Sequence, residues 1–364
     1  MVKLFLCGDV MLARGIDQVL AHPCDPTLHE SYLKDARDYI EIAEDYSGPI
    51  PRGVAPEYPW GDALAILDAE RPDARIINLE TSITHSDAFD PQKGIHYRVS
   101  PENAACIAAA RIDICALANN HVLDWGQAGL LDTLSTLDRL GIARCGAGRD
   151  REEAIRPAVL DLGERGRIVV FSVGCLDGGV PPWWTAAEAR PGVHAITELG
   201  DDTTRRLRGV IEPWRRPDSI IVLSIHWGPN WGFAIPPEHR RFAQRMIDDA
   251  GVHLIHGHSS HHVKGIEVHD GHLILYGCGD FLTDYEGIRT NEAYRGDLGI
   301  MYLPTLDAAG KLLALELVPT QMRKFRVNRA DPKDLRWLAM TLARAEASLG
   351  TSVVIEGQRM HLKW

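Results

Sequence analysis

The chain has 364 residues, of which 45% are hydrophobic and 24% charged, and its formal net charge is -11. This length can bury a full core, and an acidic chain without a Lys/Arg-rich stripe argues against a nucleic-acid partner. No stretch approaches the ~20 consecutive apolar residues of a membrane helix, so no membrane partner is expected. The seven cysteines lack paired short spacings, which is typical of a reducing compartment and predicts a cytoplasmic protein.

Strands and helices are predicted to alternate through residue 150, because short apolar runs bounded by turn residues are separated by amphipathic segments. Residues 24–60 interrupt this order with mixed Pro, Gly, acidic and aromatic residues. We interpret them as a candidate cap insertion over a substrate site, with plain surface decoration as the alternative. Further on, Trp183 and Trp184 lie on a Pro-rich loop that suggests a lid.

Strands are predicted to cluster in the later part of the chain, where Asp270-Gly271 between two apolar runs predicts a β-hairpin. Early alternation followed by clustered strands indicates a layered α/β fold with two sheets. The predicted organisation is one main domain, residues 1–325, and a C-terminal helical extension, residues 326–364, packed on it.

Polar side chains follow five of the predicted strands, at the point where each apolar run ends. The runs end, in chain order, in Asp9, Glu80, Asn119-Asn120-His121, His226 and Gly257-His258-Ser259-Ser260-His261. Open α/β sheets bind ligands at the carboxyl ends of their strands. Oxygen and imidazole donors gathered from separate strands are what a divalent metal needs, although each residue alone could be a turn or helix-cap residue.

These motifs carry a resemblance to a known family. The matching segments are Gly8-Asp9-Val10-Met11-Leu12-Ala13-Arg14, Asn78-Leu79-Glu80-Thr81, Ala118-Asn119-Asn120-His121, His226-Trp227-Gly228, Gly257-His258-Ser259-Ser260-His261 and Tyr276-Gly277-Cys278-Gly279-Asp280-Phe281. In this order they resemble the CapA family of capsule and poly-gamma-glutamate biosynthesis proteins, which share the calcineurin-like metallophosphoesterase fold. The resemblance implies a four-layer αββα sandwich of two mixed sheets.

The resemblance also implies a dinuclear metal site at the strand ends. The implied ligands are Asp9, Glu80, Asn120, His226, His258 and His261. Asp9 and His261 are assigned to the first ion, Glu80 bridges both ions, and the remaining three ligands hold the second. Two neighbouring cations need a shared carboxylate to offset their repulsion, and this donor set suits Mn, Fe, Zn or Ni.

Two departures from the superfamily pattern bear on the reaction. Met11 stands where a typical metallophosphoesterase has the His of an Asp-x-His motif, and Glu80 stands where an Asp is usual. The missing imidazole weakens the first metal position, or leaves it open to water or a substrate carboxylate. Efficient phosphodiester hydrolysis is therefore not expected.

His121 is the candidate acid/base group, because it follows a predicted metal ligand and Asp124 is placed three residues on to orient its ring. The alternative is a structural His at a helix start, hydrogen-bonded to backbone. Asp9 is a second acid/base candidate wherever metal does not engage it fully.

Four residues are candidates for substrate binding. Arg14 and Arg98 could clamp a carboxylate or phosphate with their guanidinium forks, and ordinary ion pairs are the alternative. Trp227 and Trp231 flank His226 and could wall the pocket, although Trp is also a good packing residue.

Three functions remain open at this stage. The first is a metal-dependent enzyme acting on a peptide-like or glutamyl substrate, by epimerisation at a Cα or by amide hydrolysis or transfer. The second is a metal-dependent phosphoesterase. The third is a non-catalytic accessory protein of polymer synthesis, which would have no need for six convergent ligands. The sequence does not indicate an oligomeric state.

Overall fold

The computed structural model describes residues 1–288, 291–346 and 349–364. Its strands, in chain order, are β1 Val2–Phe5, β2 Asp9–Val10, β3 Ala74–Leu79, β4 Ser82–Ile83, β5 Arg98–Val99, β6 Ile114–Ala116, β7 Ala143–Cys145, β8 Ala147–Gly148, β9 Ala158–Asp161, β10 Arg167–Cys175, β11 Gly192–Val193, β12 Ala195–Ile196, β13 Ser219–His226, β14 Leu254–His258, β15 Ile266–His269, β16 His272–Leu275, β17 Asp280–Leu282, β18 Leu298–Leu306, β19 Leu312–Met322, β20 Val327–Arg329, β21 Ser352–Glu356 and β22 Arg359–Lys363. Its α-helices are α1 Gly15–Val19, α2 Asp38–Ser47, α3 Asp62–Glu70, α4 Ala105–Ala109, α5 Gly126–Leu140, α6 Arg151–Ile155, α7 Asp201–Ile211, α8 Pro237–Asp248 and α9 Pro332–Glu346.

Two large mixed sheets contain most of these strands. The first has the order β17-β2-β3-β1-β18-β19-β22-β21, with β6 and β7 continuing from β3, and β20 paired to β19. The second has the order β12-β10-β13-β14-β16-β15, with β9 on the outer side of β10. Each sheet combines parallel pairs, such as β1 with β3 and β10 with β13, with antiparallel pairs, such as β18 with β19 and β9 with β10.

The alternation of side chains along the central strands builds the layers. In β3, Ile76 packs into a core shared by both sheets, whereas Ile77 packs into a second core with α3 and α5. In β10, Val170 faces the shared core and Phe171 faces α7 and α8. Because successive strand residues point to opposite faces, both sheets are buried on two sides. The predicted four-layer αββα sandwich of two mixed sheets is confirmed.

The C-terminal region differs from the predicted helical extension. Residues 326–364 contain β20, α9, β21 and β22, and β22 pairs with β19 of the first sheet through Glu316 and Leu317. Met360 and Leu362 are buried while the residues between and after them are more exposed, which is the two-residue period of a strand. The extension is therefore part helix and part sheet, and its residues 347 and 348 lie outside the described residues.

The candidate cap, residues 24–60, packs against the first sheet's helical layer. Leu28, Tyr39 and Trp60 are buried there, and the Trp60 indole donates a hydrogen bond of 2.8 Å to the Cys106 carbonyl. The segment thus contributes to the core, and a role as a substrate cap stays a prediction. Among the described residues, no helix combines the length and the apolar composition required to cross a lipid bilayer.

Candidate metal centre

Asp9 and Asp280 lie opposite each other as the first residues of two parallel strands, β2 and β17. A Cβ atom on Gly8 would stand only 1.9 Å from the Gly279 carbonyl oxygen, so the two strands approach this closely only with glycine at position 8. Gly279 itself has a φ of 77°, in the left-handed region that favours glycine. The Gly-Asp order of both motifs therefore follows from the backbone that carries the carboxylates.

Three buried carboxyl groups meet at these strand ends. Asp9 accepts hydrogen bonds from Asn78 Nδ2 at 2.7 Å and from the Ser259 backbone N–H at 3.2 Å. Burial, reinforced by the Asp280 charge, raises the pKa of Asp9 to about 7. Burial and the Asp9 and Asp280 carboxylates also raise the pKa of Glu80 far above its usual range. Such concentrated negative charge favours binding of a cation.

Two histidines face this acidic group from the second sheet. His226 and His258 occupy paired positions on β13 and β14, and their Nδ1 atoms lie 2.9 Å apart. Potential ligand atoms of Asp9, His226 and His258 all lie within 4.8 Å of one another. The other ring nitrogen of His258, Nε2, is hydrogen-bonded to Ser224 Oγ at 2.9 Å.

Two potential metal-ligand atoms of this group, His226 Nε2 and Asn120 Oδ1, are buried without a hydrogen-bond partner among the described residues. His226 Nε2 stands 3.9 Å from Glu80 Oε1. Metal–nitrogen and metal–oxygen bonds of ~2.0–2.2 Å would fit an ion between such atoms. Buried polar groups are normally paired, so the donors present fit a divalent metal.

His261 is held by a partner that the ligand assignment omitted. Its Nδ1 atom lies 3.0 Å from Asp280 Oδ1, and its Nε2 atom lies 3.0 Å from Asn230 Nδ2. Burial alone would lower the pKa of His261, but the Asp280 carboxylate raises it. Asp280 follows Gly279 in the last family motif, so the same Gly-Asp pattern that identified Asp9 could have identified it.

Asn119 shapes the turn that presents Asn120 and His121. Its Oδ1 atom accepts the backbone N–H groups of His121 at 3.1 Å and Val122 at 3.0 Å. Its Nδ2 atom donates to the Leu79 carbonyl at 2.8 Å and so ties the turn to β3, which carries Glu80 at its end. Local hydrogen bonds between an Asn side chain and the backbone that follows it favour a turn over a helix or a strand.

His121 and Asp124 form a buried dyad. His121 Nδ1 lies 2.5 Å from Asp124 Oδ2, and His121 Nε2 lies 4.0 Å from Glu80 Oε1. Burial lowers the pKa of His121 well below its usual value, with Lys93 and Arg14 adding to the effect. A neutral ring that donates from Nδ1 to Asp124 leaves Nε2 as a proton acceptor facing the carboxylates. The dyad contradicts the alternative in which His121 bonds only to backbone.

Two residues that sequence reasoning missed surround this dyad. The Tyr97 ring stacks on His121 with centroids 3.8 Å apart, and the Tyr97 backbone N–H donates to Asp124 Oδ2 at 2.7 Å. Lys93 Nζ lies 3.3 Å from Asp124 Oδ1 and also donates to the Asn120 carbonyl. Neither residue ends an apolar run, so no local pattern marked them.

Arg14 does not act as the predicted substrate clamp. Its side chain is buried, with Nε and Nη2 donating to Asp284, Nη2 at 2.5 Å, and Nη1 donating to Glu30 and Tyr39 at 2.8 and 2.7 Å. All three guanidinium nitrogens are therefore engaged in hydrogen bonds within the protein. The ion-pair alternative is therefore the correct one for Arg14, because a desolvated guanidinium needs compensating carboxylates.

Arg98 is likewise engaged elsewhere. It donates to the Ser86 carbonyl at 2.8 Å and to Asp87 at 3.0 Å, and its guanidinium lies 3.9 Å from the Trp125 ring centroid. These contacts hold the loop that follows β4 and contradict a role as a free anion clamp.

The two predicted pocket tryptophans have different positions. Trp227 is 1% exposed, stacks on His239 and donates its indole N–H to the Tyr276 carbonyl at 3.0 Å. It is a core residue, so the prediction that it lines the pocket is wrong. The part-exposed Trp231 has its ring centroid 5.4 Å from that of His261, so it does border the site.

The strand ends of this layered α/β sandwich carry a cluster of carboxylates, imidazoles and an amide. This arrangement defines a protein with a candidate metal centre. The family described as "Bacterial capsule synthesis protein PGA_cap" matches residues 3–285, and the chain belongs to this family. The resemblance to CapA proteins is thereby confirmed.

Individual relatives extend this comparison. The chain is 43% identical over 355 residues to a "Probable polyglutamine synthesis accessory protein" of Mycobacterium tuberculosis strain H37Rv, across 97% of this chain and 93% of that protein. It is 26% identical over 217 residues to the "PGA biosynthesis protein CapA" of Bacillus subtilis strain 168, across 59% of this chain and 54% of that protein. A solved 5'-nucleotidase precursor from Thermus thermophilus aligns with a TM-score of 0.46 and 13% identity, over 96% of this chain and 59% of that chain.

Proposed function

We propose that this protein is a divalent-metal-dependent enzyme that acts on a peptide-like or glutamyl substrate by acid/base chemistry. The observation that carries the proposal is a pair of potential metal-ligand atoms, His226 Nε2 and Asn120 Oδ1, that are buried without a hydrogen-bond partner in the described part of the chain. They lie beside a histidine–aspartate dyad whose His121 Nε2 is 4.0 Å from Glu80 Oε1. A glutamyl substrate is supported by the names of the relatives, which refer to polyglutamine and PGA synthesis.

Two cations are proposed, and Mn, Fe, Zn or Ni suits the mixed nitrogen and oxygen donors. The residues that would hold them are Asp9, Glu80, Asn120, His226 and His258, with His261 and its partner Asp280 on the far side. When bound, the ions would polarise a substrate carbonyl and stabilise the negative charge that develops beside it.

The protein's own groups supply the proton transfer. His121 Nε2 is the acceptor, since its ring is neutral and Asp124 fixes Nδ1 as the donor nitrogen. In epimerisation, His121 would remove a Cα proton and a second group on the opposite face would return one, a role for which Asp9 is the candidate. In amide hydrolysis, His121 would take a proton from the attacking water and deliver it to the leaving amine.

The test uses the purified protein with added Mn²⁺ and a set of glutamyl peptides in D₂O. Incorporation of deuterium at Cα with a change of chirality would support epimerisation, and addition of one water mass would support hydrolysis. His121→Asn should lower the rate of either reaction by ~10²–10⁴-fold. If no substrate changes while the protein binds metal, the catalytic proposal is contradicted.

A second candidate function is a non-catalytic role in polyglutamate synthesis. The observation in its favour is the word "accessory" in the name of a relative that is 43% identical over 355 residues. In that case Glu80→Gln and His121→Asn would leave polymer production in cells unchanged as long as the fold is intact.

A further inference from the structure

The proposed metal ions would offset the acidic ligands at the reacting centre, and the two arginines predicted as substrate clamps are already paired. Arg14 is enclosed by Asp284 and Glu30, and Arg98 is bound to the Ser86–Asp87 loop. A substrate carboxylate that lies away from those ions needs another cationic side chain at the border of the site.

Lys93 is such a cation. Its ammonium lies 3.3 Å from Asp124 Oδ1 and donates to the Asn120 carbonyl, which places it beside the turn that carries a predicted ligand and the acid/base dyad. Its side chain remains 14% exposed. The positive charge of Lys93 contributes to the lowered pKa of both His121 and His226, whose main cause is burial.

Among the described contacts, the Lys93 ammonium donates one hydrogen bond, to the Asn120 carbonyl, and forms an ion pair with Asp124 Oδ1. An ammonium has three donors and no acceptor, so a further hydrogen bond is available to an incoming oxygen. Hydrogen bonds between an ammonium and a carboxylate are charge-assisted and about twice as strong as neutral ones. Lys93 can therefore hold Asp124 and a substrate anion together.

An aromatic wall stands next to this ammonium. Lys93 Nζ lies 5.0 Å from the Trp184 ring centroid. The indole N–H groups of Trp183 and Trp184 both donate to Asp90 Oδ2, at 3.0 and 2.8 Å. Trp183 is 45% exposed, and its indole is nevertheless fixed in place by this hydrogen bond. The backbone at Gly179 of the same loop approaches Asn120 Nδ2, since a Cβ there would lie 3.1 Å away.

We propose that Lys93 binds a carboxylate of the substrate and that the exposed Trp183 contacts the aliphatic chain that bears it. This deepens the proposed function, on which it rests, by assigning the substrate class: a chain with a carboxylate a few carbons from the reacting centre, such as a glutamyl unit. A bare phosphate shares the anion chemistry but offers nothing for the indole to contact.

The experiment is a calorimetric titration of the protein, with Mn²⁺ present, using γ-glutamylglutamate in one arm and inorganic phosphate in the other. Lys93→Met should weaken γ-glutamylglutamate binding about 10- to 100-fold, as loss of a hydrogen bond to a charged group implies. Lys93→Arg should recover most of the affinity. Trp183→Ala should weaken γ-glutamylglutamate but not phosphate. Lys311→Met, at an exposed lysine whose ammonium lies 3.9 Å from Asp270 Oδ1, is the matched control.

Metal content is measured on the same samples. If Lys93→Met binds γ-glutamylglutamate as tightly as the unaltered protein, or if the unaltered protein binds neither probe, the proposal is overturned. Loss of metal together with affinity in Lys93→Met would also overturn it, because Lys93 would then act only through Asn120 and Asp124. The proposed function fails independently, when binding depends on Lys93 but no glutamyl peptide is turned over.

Discussion

His226 Nε2 and Glu80 Oε1 face each other across 3.9 Å, and the nitrogen has no hydrogen-bond partner within the described part of the chain. The two atoms are too far apart for a hydrogen bond and too close to admit another side chain. Two residues from different sheets thus delimit a space of the size that a metal ion with short bonds would fill.

Glu80→Gln is expected to lower the amount of bound divalent metal sharply, because it removes the central negative charge while keeping the side chain's volume. Elemental analysis of the purified variant measures this. Glu102→Gln changes a carboxylate that is 53% exposed and pairs with His85, and should leave the metal content unchanged. Equal metal in the Glu80 variant and the unaltered protein would show that Glu80 is not a bridging ligand.

His121→Asn is expected to keep metal and fold but to lower turnover by ~10²–10⁴-fold, the usual contribution of a general acid/base group. The rate is compared on whichever glutamyl peptide the unaltered protein converts. His85→Asn is the control, since His85 is exposed and bonds only to Glu102 among the described contacts. A His121 variant with an unchanged rate would assign the proton transfer to another group.

Arg14→Met is expected to lower the free energy of unfolding by about 3–5 kcal/mol, because it leaves the Asp284 and Glu30 carboxylates buried without their cation. Urea unfolding followed by circular dichroism measures the difference. Arg52→Met removes a partly exposed ion pair with Glu44 and should cost no more than about 1 kcal/mol. Similar losses in the two variants would contradict the buried network.

Stability is expected to fall as the pH drops from about 6.5 toward 4, in part because of His253. Burial lowers the pKa of His253 to about 4, with His272 and Arg215 adding to the effect. Its Nδ1 atom accepts the Ile221 backbone N–H at 2.9 Å, which requires the neutral ring. The unfolded chain, with a pKa of ~6.5, binds the proton first, so protonation favours unfolding in this window.

The measurement is the free energy of unfolding at pH 7.5 and at pH 5, for the unaltered protein and for His253→Asn. The variant should lose less stability between the two pH values, although it is less stable at pH 7.5. An identical pH dependence would show that His253 does not contribute to it.

Much of the local structure could be predicted from the sequence. The hairpin at Asp270-Gly271 has β15 and β16 on either side, because the turn residues and the apolar alternation lie within ten residues of each other. The chain segments that carry Asp9, Glu80, His226 and His258 were predicted as strands for the same reason, since apolar runs with turn residues after them depend only on neighbours.

Tertiary structure alone decided which of these residues meet and which partners they take. Arg14 and Asp284 are 270 positions apart in the chain, and only the packing of β17 and its following loop against β2 brings them together. Lys93, on an irregular loop, reaches Asp124 in the same way. The C-terminal strands were missed because β22 is stabilised by pairing with β19, and hydrogen bonds between distant segments leave no short-range pattern in the chain.

The sequence by itself therefore determined the strand ends and the kind of atoms they carry, through local propensity and periodicity that act over a few residues. The folded structure decided the charge balance of the site: Arg14 is paired with buried carboxylates, Trp227 is packed in the core, and Asp280 is added to the acidic group. Burial is the physical reason, because the desolvation of each charge forces it to find a partner that only three-dimensional packing can supply.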